Sequence, residues 1–133
     1  MFIKLTGAFT LAFAFVFVLA PAGSARAARQ RSTRDRVYSD PQAERGKVTY
    51  VTICTECHAE TLWGGNWNGK TLADVFDTIK SFMPENDPGS LNAEQVRDIL
   101  AYILQANKLP SGADDLPDTD EGLKAIRLEP AEN

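Results

Sequence analysis

Five consecutive residues, Cys54-Thr55-Glu56-Cys57-His58, carry the most specific chemistry in the sequence. A Cys-x-x-Cys pair with an imidazole directly after the second thiol has the spacing at which a haem is attached covalently to protein. Each thiol adds to a vinyl group of the porphyrin, and the histidine is set beneath the ring to bind its iron. The chain holds 2 cysteines and 1 histidine, so no other thiol or imidazole competes for these roles. Zinc normally takes four Cys, His or carboxylate ligands, which these three residues do not supply alone. Two rivals stand beside haem. A thioredoxin-like dithiol expects alternating strands and helices, a pattern absent here, and a structural disulfide leaves the histidine incidental.

Met83 is the candidate for the opposite face of the iron. Apart from Met1 it is the only methionine, and the chain offers no second histidine. Pro84 disfavours helical geometry at Met83 and so ends a helix at that residue. The alternative is an ordinary core methionine filling a gap, the commoner job of a lone methionine.

Three helices are expected to position these groups. Asp40-Pro41 offers an N-cap followed by proline at the first helical position, and Ala43, Gly46, Lys47, Tyr50 and Cys54 fall along one side of the helix it would start. Gly46 costs helix stability unless something approaches the backbone closely. Thr71 and Asp74 form a capping box, and Leu72, Val75, Phe76, Ile79 and Met83 share the apolar face that follows. Asn92 and Gln95 cap a third helix with a stripe of Val96, Ile99, Leu100 and Ile103, its wet side holding Glu94, Arg97, Asp98 and Gln105. That helix should stop near Leu109, before Pro110 and Gly112. Between the first two helices, Trp63-Gly64-Gly65-Asn66-Trp67-Asn68-Gly69 reads as loop.

From about Asp40 to Leu109 the chain resembles a small class I c-type cytochrome of bacterial type. The resemblance rests on a helix, the Cys54–His58 motif, a loop, a helix ending in Met83-Pro84, and a C-terminal helix. It implies an all-α cytochrome c fold, three to four short helices around one haem c attached through Cys54 and Cys57, with His58 and Met83 as axial ligands. It further implies that Gly46 packs against an aromatic of the last helix, here Tyr102, and that Trp67 lies at the haem edge near a propionate. The sequence departs from the family in lacking a proline between His58 and Met83, so the partner that orients the second nitrogen of His58 is unassigned.

The flanks read differently. Lys4, an apolar run from Ala8 to Ala20, and Ala25-Arg26-Ala27 make a secretory signal peptide over residues 1–27, while arginines soon after the run keep an uncleaved anchor as the alternative. A spanning helix wants about 20 apolar residues, more than this run supplies. Residues 28–39 are Arg-rich with no apolar period and are expected to be a disordered linker. Residues 110–133 form an acidic tail, in which Leu123, Ile126 and Leu128 leave open a return to the body.

Loss of Lys4 and Arg26 from 14 basic residues leaves 12 against 18 acidic, a net charge of −6 that disfavours nucleic acid as a partner. The length allows one domain, with a body small enough to need haem as the staple of its core. The expectation is a periplasmic one-electron carrier rather than an enzyme, a monomer or a subunit of a complex. Its partners would be redox proteins such as a periplasmic dehydrogenase or a terminal oxidase, with membrane association only if the leader is retained. Two alternatives stay open: a haem enzyme or gas sensor with a vacant or labile sixth position, and a cytochrome subunit bound tightly to a periplasmic dehydrogenase.

Overall fold

The computed structural model describes residues 30–58 and 69–132. The expected signal peptide and most of the loop between His58 and Met83, with Trp63 and Trp67, lie outside the described residues. The described chain is all-α as expected: β1 (Arg31–Ser32), α1 (Asp40–Ile53), α2 (Leu72–Phe82), α3 (Ala93–Ala106), α4 (Asp120–Lys124) and β2 (Ile126–Arg127), the two strands pairing in parallel. Among the described residues no helix is long and apolar enough to cross a membrane.

Local sequence sets each helix end. Thr71 donates from its amide and hydroxyl to the Asp74 carboxylate at 2.7 and 2.8 Å, closing the start of α2. Asn92 and Gln95 exchange side-chain to backbone hydrogen bonds at 2.9 Å each at the start of α3. The start of α1 lies one residue earlier than expected. Ser39 is the cap, its hydroxyl accepting from the Gln42 amide at 3.2 Å, while Asp40 occupies the first turn, where a carboxylate meets the positive end of the helix dipole. Ser39 prevails because its hydroxyl is also held by Asp115, far along the chain. The end of α3 falls at Ala106, short of Leu109: Lys108 turns left-handed (φ 61°), and the Leu109 amide donates back to the Leu104 carbonyl at 3.1 Å. With the Lys108 amide on the Gln105 carbonyl, this is a Schellman end.

The most extensive helix contact is α1 on α3, and Gly46 marks a close approach within it. A Cβ there would lie 1.8 Å from the Asp98 carbonyl oxygen and 2.8 Å from the Ile99 nitrogen. Tyr102, one turn further along α3, pairs its ring with that of Tyr50, centroids 5.2 Å apart at 56°. Asp98 departs from the expected wet side. It is 7% exposed, and Arg45 of α1 grips both its carboxylate oxygens at 3.0 Å from Nε and Nη2.

The segments on either side of the helices are folded onto them. Instead of a disordered linker, residues 30–39 hold buried Thr33, Val37 and Tyr38, because the C-terminal segment supplies partners that no local pattern reveals. The Tyr38 hydroxyl donates to the Leu109 carbonyl at 2.7 Å, and burial first, then the Asp40 charge, push its pKa up to about 12. Gly112 donates to the Tyr38 carbonyl at 2.6 Å, and the Leu116 amide donates to the Gln42 side chain at 2.7 Å. Beyond them Leu123, Ile126 and Leu128 are all at most 2% exposed and join the core formed with Leu72, Ala73, Leu100 and Leu104. The acidic tail does fold back.

Candidate functional site

The residues singled out for their chemistry converge on one cleft. At the end of α1, Cys54 is the C-cap, and its carbonyl accepts from the Cys57 amide at 3.2 Å and from the His58 amide at 2.9 Å. This turn folds the five residues back on themselves, so that Cys54, Cys57 and His58 all line a cavity of 760 Å³. Small-molecule and cofactor sites commonly occupy about 300–1,000 Å³. Both thiols are free; Cys54 is half-buried, which pushes its thiol pKa upward, and Cys57 is exposed.

Met83 comes to the same cavity from α2. It is the C-cap, with extended backbone (φ −115°, ψ 147°) and its amide still donating to the Ile79 carbonyl at 3.0 Å. The change from helical to extended geometry at the residue before Pro84 is the expected effect of proline on its predecessor. Met83 is half-buried and, with His58, Ile79 and Ile103, also lines a second cavity of 210 Å³.

The two cavities differ in kind. The smaller is walled by Leu72, Val75, Leu100, Leu104 and Leu128, an apolar inner end. The larger carries both thiols and opens past Glu56, Glu85 and Asp87, all exposed. Together they form a slot, dry at one end and wet at the other, with imidazole and thioether reaching both parts. The donor set fits haem: two thiols for thioether bonds, one nitrogen and one soft sulfur ligand, and aliphatic walls for a flat apolar ring. Among the described residues no group of three or more His, Cys, Asp or Glu residues is placed to hold a metal ion by itself.

Thr78, Leu104 and Leu128 are among the site residues not singled out from sequence. Thr78 lines the inner cavity on the expected face of α2, beside Val75 and Ile79. Leu128 lines it from the C-terminal segment, where the only signal was the apolar spacing of Leu123, Ile126 and Leu128 in an otherwise acidic tail.

Residues 41–103 match the family described as cytochrome C oxidase, cbb3-type, subunit III. The match spans α1, the Cys54–His58 turn, α2 and most of α3, the elements that build the slot. No curated protein and no solved structure matches the chain.

Proposed function

The chain belongs to the class I c-type cytochromes, and on that premise we propose an exported monohaem electron carrier in which Cys54 and Cys57 hold haem c and His58 and Met83 bind its iron. The observation that carries this reading is the single slot reached by both thiols and the imidazole from the end of α1 and by the thioether from the end of α2. When bound, haem supplies reversible one-electron exchange at its iron.

The chain's own residues supply the rest. Cys54 and Cys57 lie within one backbone turn of His58, so two covalent anchors and one ligand share a rigid base. Met83 is held by the last hydrogen bond of α2 and by Pro84, which gives the sulfur a fixed origin. Held by the His58 imidazole and the Met83 thioether, bound haem would favour its reduced state and have a raised potential. Leu72, Val75, Leu100 and Leu104 exclude water from the inner end, and a dry shell acts in the same direction. A ligand set held this way changes little between oxidation states, which suits a carrier.

The open end is the side for a partner. Glu56, Glu85 and Asp87 line it without a lysine or arginine among the described lining residues, a charge pattern that steers a basic surface toward the slot. Transient redox complexes bury small areas. A periplasmic dehydrogenase as donor and a terminal oxidase as acceptor fit these demands, and the oxidase subunit in the description of the matched family supports the second. The leader pattern of residues 1–27 supports the periplasm as compartment.

The test is Met83→Ala in the haem-loaded protein. The weak sulfur-to-iron band at the red end of the oxidised spectrum should vanish, the potential should fall, and carbon monoxide should gain access to the iron. Wild-type protein that already binds carbon monoxide rapidly, with the same potential in the mutant, would replace the carrier by a ligand-binding haem protein.

A further inference from the structure

The inner end of the slot is closed by a segment outside the family match. Leu128 is 2% exposed and shares the 210 Å³ cavity with His58 and Met83. Its amide donates to the Lys70 carbonyl at 2.7 Å, and Arg127 bridges Thr71, so this segment is tied to the residues that lead into α2. We infer that Leu128 is a haem-packing residue, carried on a C-terminal strap that walls the inner end of the slot and is latched there by Thr33 of the N-terminal arm. The inference rests on the haem reading above.

The latch is specific. A two-stranded sheet as short as β1 with β2 is marginal by itself. Thr33 adds what the ladder lacks: its amide donates to the Arg127 carbonyl at 2.9 Å, and its hydroxyl donates to the Glu129 carbonyl at 2.7 Å while accepting from the Glu129 amide at 2.9 Å. Thr33 is 0% exposed, so one buried hydroxyl satisfies both backbone groups of the residue after Leu128. Arg34 extends the clasp with a 2.7 Å bond to the Pro130 carbonyl and an ion pair to Glu132. Valine at position 33 keeps the shape but leaves the Glu129 amide and carbonyl without that partner.

The electrostatic consequence has a definite sign. Oxidised haem iron carries one more positive charge than reduced iron, and a low-dielectric wall disfavours the more charged state. A strap held shut therefore favours the reduced form; a strap that opens admits water and favours the oxidised form.

The experiment compares wild-type holoprotein with Leu128→Ala, Leu128→Met and Thr33→Val. Absorption spectra come first and establish attached haem and the Met83 band, so failure of the haem reading is seen before any potential is measured. Potentials are then read by spectroelectrochemistry, and amide hydrogen exchange is followed at residues 126–129. Leu128→Ala should shift the potential downward while Leu128→Met restores it. Thr33→Val, whose side chain is not in the cavity wall, should speed exchange at the strap and shift the potential in the same direction by a smaller step. Unchanged potentials in Leu128→Ala and Thr33→Val, with haem attached, overturn the inference. If Leu128→Ala does not accumulate, Thr33→Val decides: faster strap exchange with an unmoved potential also overturns it.

Discussion

Gly46 lies against the backbone of Asp98 so closely that a Cβ on it would stand 1.8 Å from the Asp98 carbonyl oxygen. The neighbour is helix backbone, which cannot swing aside as a side chain would. Gly46→Ala gains about 1 kcal/mol of helix propensity but must push α1 and α3 apart, and overpacking costs about 1–3 kcal/mol or more. The contact is so short that the upper end applies, and a net loss of about 2 kcal/mol is expected. Thermal unfolding of the holoprotein checks this; an unchanged or higher midpoint would mean that the helices do not cross here.

Arg45 ties that crossing to the C-terminal segment by pairing with Asp98 and, at 2.8 Å, with Asp115. The hydrogen bond from Ser39 first, and then the one from Arg45, hold the Asp115 carboxyl below its ordinary 3.8. A carboxyl with a lower pKa in the folded state stabilises above the unfolded value, and that contribution is lost as pH falls through the folded one. The gap in melting temperature between wild type and Asp115→Asn should therefore be present at neutral pH and close below about pH 4. Asp115 is half-exposed, so the gap should be modest. A gap independent of pH would sink the assignment.

Cys54→Ala and Cys57→Ala test the two anchors separately. In a host with cytochrome maturation, mass spectrometry of the wild type should show one haem retained through acidified solvent extraction. Each single variant keeps one thioether site and should yield incompletely attached or unstable product. The double variant should retain none. Its empty slot would also weaken the packing of Ile79 and Ile103, which line both cavities, and its unfolding should lose cooperativity. Haem extracted from the wild type, or a sharp transition in the double variant, would contradict this.

Much of this protein is set by local chemistry and is therefore readable in its sequence. The Cys54–His58 spacing is a matter of reach within one backbone turn; the Thr71–Asp74 and Asn92–Gln95 boxes bond residues three apart; Pro84 acts on its immediate neighbour. The stripes of α2 and α3 follow from helical period, and all of these are found where expected. Tertiary structure decided the remainder, because each outcome depends on a partner distant in sequence. Ser39 displaces Asp40 as cap because Asp115 holds its hydroxyl, and Asp98 is buried on an outwardly polar face because α1 brings Arg45 over it. The arm of residues 30–39 has no apolar period, yet it is ordered, since Thr33 and Tyr38 find their hydrogen-bond partners in Glu129 and Leu109. Leu128 shows the same division: composition marks it as one apolar residue in an acidic tail, and only the return of that tail across α2 makes it a wall of the slot.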